Sequence, residues 1–328
     1  MRVHCNTRIW EIGTIIIKPI TLLMVLVLLT SSLLADTGYT PSPPIHYSGK
    51  NNVTISNLSI NCDNANNIGM LLQNCSNIHI TNCKIYNSLT FGIQLYNCKN
   101  ITIDNCFITN VKAGVNAIQC ITIKVNKNQF LNMNGPYPAG NFVQFDNVNG
   151  AGNQINYNRC ENIAGVAQHP QDGLSVYKSN GLPGDSIQVI GNWIRGGQVQ
   201  KDSGGAAGIV LGDVGGSYQV ARDNILVNPG FVGIQAQGGD HIKIDHNIIY
   251  CAATPFSVVG MGFGNYSGKS TSDITYSYNK IKWITPSGKE QNVWIDPKAR
   301  YTPDGLSTNI FSADLNESIL PAVIITKK

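Results

Sequence analysis

Short apolar segments with a two-residue alternation recur along this chain. Within Asn100–Asn110, Ile101 and Ile103 flank one polar residue, Cys106 follows after two more residues, and Ile108 completes the unit. Nine copies of the unit lie 22 to 32 residues apart when they are aligned on Cys106. The aligned positions are Leu58, Cys83, Cys106, Asn128, Cys160, Asn192, Asn224, Asn247 and Asn279. A repeat of this length predicts a solenoid.

A second apolar series runs between these copies, with Gly92-Ile93-x-Leu95 and Gly173-Leu174-x-Val176 as its clearest members. Both series alternate with the period of a β-strand, and neither has the three-four spacing of an amphipathic helix. Each turn of the solenoid is therefore predicted to hold about three short strands and no helix.

One such turn is too small to bury its own inward side chains, whereas stacked turns bury one continuous core. The aligned position then forms a ladder through the stack. A repeated Asn in a ladder binds its own copies above and below, which satisfies a buried polar group. Asn192, Asn224, Asn247 and Asn279 are the predicted members of this asparagine ladder.

With these repeats, residues 50 to 285 resemble the right-handed parallel β-helix proteins of the pectate lyase-like superfamily. The resemblance implies an all-β fold, a single-stranded right-handed parallel β-helix (a solenoid) of about nine coils with a C-terminal cap. It implies little about activity, because one scaffold hosts many functions. The signatures of known pectate lyases, polygalacturonases and mannuronan epimerases, such as the Gly-His-Gly of polygalacturonases, are absent from this sequence.

The two ends of the chain differ from the repeat. Residues 1–35 carry three basic residues, an apolar run and a small-residue stretch, which predicts a signal peptide and a secreted or cell-envelope location. An N-terminal membrane anchor is the alternative. Residues 36–50 contain Pro41, Pro43 and Pro44, which predicts a linker that cannot join a sheet, followed by an N-terminal cap. Residues 51–285 form the predicted β-helix, and residues 286–328 its C-terminal cap, packed back along the solenoid.

The charge of the chain limits its partners. Beyond residue 35 the chain has 20 basic and 18 acidic side chains, and charged residues make up only 13% of the whole. This balance argues against a nucleic-acid partner. It suits a polysaccharide or other glycan that is bound by hydrogen bonds and ring stacking, with membrane contact only through an uncleaved N-terminal segment.

The nine cysteines admit two interpretations. Cys83, Cys106 and Cys160 fall on the aligned ladder position, whereas three others form a second ladder beside the Gly-Ile-x-Leu strands: Cys75, Cys98 and Cys120. Stacked thiols behave as small buried hydrophobic groups, which is the favoured interpretation. Disulfides between neighbouring coils are the alternative. Zinc is disfavoured because no Cys-x-x-Cys pair occurs.

Three consecutive coils carry the extra residues of the longer repeats, in Leu131–Asn141, Ala164–Asp172 and Arg195–Ala207. Long loops on a rigid scaffold commonly hold binding and catalytic groups. A groove is therefore predicted over coils four to six. Its predicted substrate-binding residues are Gln144, Asp146, Ser175, His169 and Gln235.

Ionisable side chains concentrate on the same coils and support two chemistries. A lyase acting on a uronate needs a base, an acid and a cation. Lys178 or Arg195 is the candidate base and Tyr177 the candidate acid. Asp146, Asp172 and Asp213 are the candidate Ca²⁺ ligands.

An inverting hydrolase instead needs two separated carboxylates, for which Asp172 with Asp213, or Asp146 with Asp213, is available. The sequence predicts a polysaccharide lyase slightly ahead of a glycoside hydrolase. The alternatives are a non-catalytic surface protein that binds carbohydrate or mediates adhesion, and a purely structural set of loop ion pairs.

Overall fold

The fold is a stack of parallel strands wound around one apolar core. The computed structural model describes residues 38–136, 139–163, 171–197 and 206–327. All its interstrand ladders are parallel, in one nineteen-stranded and one nine-stranded sheet. No α-helix occurs among these residues. The predicted right-handed parallel β-helix is confirmed, and its coils lie in one compact unit, Thr40–Lys328.

The strands form three faces. The nine-stranded sheet is the back face: β3 (Asn51–Ser56), β6 (Ser76–Thr81), β8 (Lys99–Asp104), β10 (Ile121–Asn126), β13 (Gln154–Asn156), β16 (Ile187–Ile190), β19 (Ser217–Arg222), β22 (Asp240–Asp245) and β25 (Ser272–Ser277). Each back-face strand begins one coil, so that coil one begins at β3 and coil nine at β25.

The larger sheet has two rows of strands, because β7 (Lys84–Tyr96) and β9 (Phe107–Ile118) are long and take part in both. The tail face contains β1 (Thr40–Ser42), β4 (Leu58–Ala65), the first halves of β7 and β9, β11 (Gln129–Met133), β14 (Arg159–Glu161), β17 (Trp193–Arg195), β20 (Ile225–Val227), β23 (Ile248–Cys251), β26 (Lys280–Trp283) and β28 (Ile310–Phe311). The groove face contains β2 (Ile45–Ser48), β5 (Met70–Gln73), the second halves of β7 and β9, β12 (Val143–Asp146), β15 (Leu174–Tyr177), β18 (Ala207–Asp213), β21 (Val232–Ala236), β24 (Val259–Phe263) and β27 (Val293–Ile295).

The core consists of the inward residues of all three faces. Ile101, Ile103 and Ile108 of the Asn100–Asn110 repeat are fully buried in this core, together with most of their equivalents in the other coils. Most copies of the repeat therefore place their apolar residues as the alternation predicts. The glycines of the second series have a steric cause, because a Cβ on Gly233 would lie 2.3 Å from the carbonyl oxygen of Gly260 in the next coil.

The predicted asparagine ladder is confirmed and is longer than the sequence indicated. Each buried amide donates to the oxygen of the next, for example Asn192 Nδ2 to Asn224 Oδ1 at 2.9 Å. The ladder also includes Asn128 and Asn158 at one end and Asn309 at the other. Because Oδ1 additionally accepts from the backbone N–H of the preceding member, every step of the ladder holds two hydrogen bonds.

The fifth repeat was aligned incorrectly in the sequence. Asn158, and not Cys160, occupies the ladder position, since Asn158 bonds to both Asn128 and Asn192. Cys160 pairs in register with Phe130 and Ile194 on the tail face. The error arose because the Ile155–Tyr157 spacing imitates the repeat, whereas Tyr157 is exposed.

The cysteines in the described residues are buried and free, as the favoured interpretation predicts. These are Cys62, Cys75, Cys83, Cys98, Cys106, Cys120, Cys160 and Cys251. Within the second ladder, the backbone N–H of Cys98 donates to Cys120 Sγ at 3.3 Å. Burial raises the pKa of Cys160 and Cys251, which keeps these thiols protonated and inert.

The prediction that residues 37–48 cannot join a sheet is wrong. Thr40–Ser42 pairs with β4, and Ile45–Ser48 pairs with β5. Pro41 is tolerated because β1 pairs on one side only, so its missing N–H can face the open edge. The predicted signal or anchor at residues 1–35 lies outside the described residues. No helix in the described ranges is long and apolar enough to cross a membrane.

The C-terminal segment closes one end of the stack and then returns along the tail face. After β27 come three 3-10 helices, at Pro297–Ala299, Leu306–Thr308 and Glu317–Ile319, with β28 between the last two. Leu320 and Ile324 are buried against Val227 and its neighbours. Farther on, Thr326 and Lys327 donate their N–H groups to Gln129 in coil four.

Candidate functional site

A groove of about 1140 Å³ lies on the groove face over coils five to nine. It overlaps the predicted position over coils four to six at coils five and six and extends three coils further. Its described lining residues are Gln171, Asp172, Tyr177, Ala206, Ala207, Asp213, Val214, Phe231, Val232, Gln235, Gln237, Ser257, Val258, Val259, Gly262, Tyr266, Thr285, Pro286, Gln291 and Trp294.

The groove is lined by apolar, aromatic and glutamine side chains. Ala207, Val210, Val232 and Val259 form a small apolar cluster outside the main core, and Phe231 packs against it. Gln235, Gly262 and Trp294 are in register on three successive strands and form one row along the floor. Such a combination suits a sugar chain, whose rings have apolar faces and hydroxyl edges.

Asp172 lies at one end of the groove, directly before β15. Its Oδ1 accepts a hydrogen bond of 3.0 Å from the backbone N–H of Ala207, which starts the next coil's strand. The residue is only 6% exposed. Burial raises its pKa to about 7, and the nearby charge of Asp213 acts in the same direction. This carboxyl group is therefore about half protonated at neutral pH.

Asp213 lies at the end of β18 in the next coil, where the strand bulges. Ser175 pairs with Val210 but Tyr177 pairs with Asp213, so β18 contains one extra residue. Gly212 supplies the bulge with a φ of +62°, and a Cβ there would lie 2.2 Å from the carbonyl oxygen of Gly238. Bulges re-aim side chains. Burial raises the pKa of Asp213 to about 6, which Lys178 partly opposes.

The bulge is held from beneath by Gln219, which is fully buried. Gln219 Oε1 accepts from the N–H of Gly212 at 2.8 Å, and Nε2 donates to the carbonyl oxygen of Ser179 at 2.8 Å. A positioning role for Gln219 was not predicted from the sequence. The feature of the sequence that could have identified Gln219 is a polar side chain at an inward, otherwise apolar position of the repeat.

Asp146, Tyr177 and Asp213 are in register on consecutive strands. Burial raises the pKa of Asp146, and Lys178 opposes this shift. The ammonium of Lys178 lies 4.7 Å from the centre of the Tyr177 ring. A hydrogen bond to Tyr177 raises the pKa of Lys178, so its amine stays protonated.

Only some of the predicted substrate-binding residues line the groove. Gln235 lines the groove, whereas Gln144 and Ser175 lie on β12 and β15, outside the lining. Ser175 is buried, and its hydroxyl has no hydrogen-bond partner. His169 lies outside the described residues.

Arg195 does not belong to the site. It ends β17 on the tail face, where its guanidinium lies 3.0 Å from Glu161 Oε1. It also donates to the carbonyl oxygens of Pro321 and Ala322 in the returning C-terminal segment. This contact takes the place of the predicted catalytic role, because the C-terminal segment lies on the tail face. The repeat pattern did not predict the position of that segment.

The predicted calcium ligands do not converge. In residues 38–327, apart from the gaps, no three His, Cys, Asp or Glu side chains are placed to hold a metal ion. Asp146, Asp172 and Asp213 are not such a group, and calcium binding stays a prediction.

The aromatic part of the groove was missed in the sequence. Trp294 was assigned to the cap because the aligned repeat ends near Trp283. However, Val293 and Ile295 continue the alternation of the second series and flank Trp294 on β27. Reading that series one coil further would have placed Trp294 on the groove face.

The comparisons with known proteins concern the fold. A family model described as a right-handed beta helix region matches residues 44–213. No curated protein matches the chain. Among solved structures, a catalytic domain of a GH87 alpha-1,3-glucanase variant in complex with tetrasaccharides is 13% identical, with a TM-score of 0.49. The Dettilon tailspike protein is 14% identical, with a TM-score of 0.36.

Each comparison covers 83% of this chain, but only 59% of the glucanase chain and 63% of the tailspike chain. This chain thus spans less than two thirds of either structure. Similarities of this size carry no argument about its activity.

Proposed function

This chain belongs to the right-handed β-helix family, and we propose that it binds a polysaccharide in the groove over coils five to nine and hydrolyses it there. The observation that carries this proposal is the carboxyl pair of Asp172 and Asp213 at one end of an aromatic and amide-lined groove. We also propose that the chain is secreted or belongs to the cell envelope, as predicted from residues 1–35.

The pair has the properties of an acid and a carboxylate for glycosidic hydrolysis. Asp172, with a pKa of about 7, is protonated at the pH at which Asp213, with a pKa of about 6, is largely ionised. Glycosidases combine one protonated and one ionised carboxyl group around the scissile bond. Asp172 would protonate the leaving oxygen, and Asp213 would activate water or attack the sugar directly.

Elimination is less well supported than the sequence suggested. The raised pKa of Lys178 makes its amine a poor base, and Arg195 is bound to Glu161 and the tail. The described carboxylates also provide no shared metal site. Hydrolysis therefore replaces elimination as the preferred chemistry.

The test is to incubate the purified chain with a panel of neutral and uronate-containing polysaccharides, with and without Ca²⁺. New reducing ends without new ultraviolet absorbance support hydrolysis. Absorbance from unsaturated ends would instead indicate a lyase, and retention without cleavage would indicate a binding protein.

The residue assignment is tested with Asp172→Asn and Asp213→Asn. Each is expected to lose at least about 100-fold in turnover, the scale of acid–base catalysis. Asp63→Asn is the matched control, because Asp63 is exposed on the tail face at coil one. Full turnover in both site variants would refute the assignment.

A further inference from the structure

The floor of the groove changes character along its length. The carboxyl pair lies at coils five and six, whereas the part over coils seven to nine is lined by Phe231, Gln235, Val258, Tyr266 and Trp294. None of the described lining residues in that part is charged. Three strand spacings of about 4.8 Å separate the coil of Asp213 from that of Trp294, so this uncharged part extends for roughly 14 Å.

Trp294 and Gly262 form a shelf in this part of the groove. They are in register on neighbouring strands, and Gln235 follows on the third. Trp294 is 41% exposed although it belongs to a strand. Gly262 adds no side chain beside the indole, and Gln235 Oε1 would lie 3.7 Å from a Cβ at this position.

The backbone does not explain this glycine. A Cβ on Gly262 would make ordinary contacts, with Gln235 Cβ and Val232 Cγ1 both at 3.5 Å. The φ angle of Gly262 does not lie in the left-handed region either. Gly233, on the preceding strand, is different because a Cβ there would collide with backbone at 2.3 Å. The lack of a side chain at Gly262 therefore affects the shape of the groove and not the packing of the strands.

The surroundings of the shelf disfavour an acidic ligand. A carboxylate placed there would lose water without gaining a cation, which is costly. The amines of Lys178 and Lys269 lie beside Asp213 and Val214 at the other part of the groove. Exposed Lys289, in the turn between lining residues Pro286 and Gln291, is followed by the exposed carboxylate of Glu290. The two segments that precede lining residues Gln171 and Ala206, 164–170 and 198–205, contain one Lys and one Asp and so add no net charge.

We propose that Trp294 and Gly262 form a subsite for one uncharged sugar ring, and that the polysaccharide bound in this groove is a neutral glycan and not a polyuronate. The inference rests on the proposed function and names its substrate class. The ring stacks on the indole over Gly262, and the Gln235 amide reaches the hydroxyls at the edge of the ring.

The test measures binding separately from cleavage. Affinity electrophoresis of the Asp213→Asn chain is run with neutral hexose polymers, with polygalacturonate, and with its fully methyl-esterified form. We expect retardation by at least one neutral polymer and none by polygalacturonate. Retardation by polygalacturonate stronger than by every neutral polymer, or no retardation by any polymer, would overturn the proposal.

Two variants test the shelf itself. Trp294→Ala and Gly262→Leu are expected to weaken binding of the retarding polymer by roughly tenfold or more, the first by removing the platform and the second by filling the space. Phe311→Ala is the control, because Phe311 is an aromatic residue 55% exposed on the tail face. Thermal unfolding of each variant separates lost binding from lost folding, and unchanged binding in a folded Trp294→Ala chain refutes the subsite.

The outcomes distinguish this inference from the proposed function. Binding of a neutral polymer that the native chain does not cleave would leave the subsite standing and remove the hydrolase. Cleavage of polygalacturonate by the native chain would remove the neutral substrate class while cleavage itself stood.

Discussion

The side-chain oxygen of buried Gln219 accepts a hydrogen bond of 2.8 Å from the backbone N–H of Gly212. Gly212 immediately precedes Asp213 and forms the bulge that sets Tyr177 opposite that carboxylate. Gln219 thus positions Asp213 through the backbone, without lining the groove itself.

Replacing Gln219 by Met should therefore reduce turnover while glycan binding persists. The variant keeps the side-chain volume but leaves the Gly212 N–H and the Ser179 carbonyl oxygen without their partner. A displaced catalytic group costs roughly ten- to a hundredfold in kcat. Steady-state kinetics and affinity electrophoresis measure the two effects. Gln188→Met, at a partly exposed position of the back face, is the control, and equal kcat in both variants would contradict the positioning role.

The rate of hydrolysis should have a bell-shaped dependence on pH. Asp213 must lose its proton, with a pKa of about 6, and Asp172 must keep its proton, with a pKa of about 7. The maximum of kcat/KM is expected between these values. Initial rates from pH 4 to pH 9 on a neutral polymer provide the profile. A rate that rises steadily to pH 9 would exclude Asp172 as the acid.

The buried carboxyl group of Asp172 should also make stability depend on pH. Its pKa in the folded chain is raised from 3.8 to about 7, so the folded state binds the proton more tightly than the unfolded state. Its stabilising contribution is complete below pH 3.8 and is lost as the pH rises to about 7. The raised pKa of Asp172 lowers the free energy of unfolding at neutral pH by up to about 4 kcal/mol relative to its value below pH 3.8.

Asp172→Asn should remove this pH dependence while keeping the hydrogen bond from the Ala207 N–H. Urea unfolding at pH 5 and pH 8 is the measurement. The gain in stability of the variant over the native chain should be larger at pH 8 than at pH 5, by roughly 2–3 kcal/mol. An identical pH dependence in the two chains would show that Asp172 is not buried as described.

The asparagine ladder should contribute strongly to stability. Asn224→Ala removes the side-chain partner of Val189 O and the acceptor of both the backbone N–H and the Nδ2 of Asn192 inside the core. Unsatisfied buried groups of this kind cost about 1–3 kcal/mol each, so the loss should exceed about 3 kcal/mol. Urea unfolding should show this loss, whereas Asn51→Ala on the exposed back face should cost under about 0.5 kcal/mol. Equal losses would contradict the ladder.

Arg195 should prove to hold the tail and to have no part in turnover. In Arg195→Met the contacts with Glu161, Pro321 and Ala322 are lost. We expect faster proteolysis of residues 312–327, with turnover within about twofold of the native chain. Limited proteolysis followed by mass spectrometry, beside kinetics, tests this. A protected tail combined with abolished turnover would restore the catalytic assignment.

The sequence by itself determined the winding of this chain and most of its core. In a repeat, the same inward positions return in each coil, so alternation and the Asn and Cys columns predict which side chains stack. One copy misled this reading, because Tyr157 imitated an inward residue. In the seventh copy Gln219 replaces an apolar residue and holds the bulge.

Only the tertiary structure decided where the site lies. The extra residue at Gly212, the continuation of the groove face to Trp294, and the return of the tail over Arg195 all depend on contacts between distant segments. An outward side chain is not constrained by the burial that makes inward positions periodic, so its surroundings follow from bulges, loops and tails. The periodic pattern therefore predicts the core, and the packing of its exceptions creates the groove.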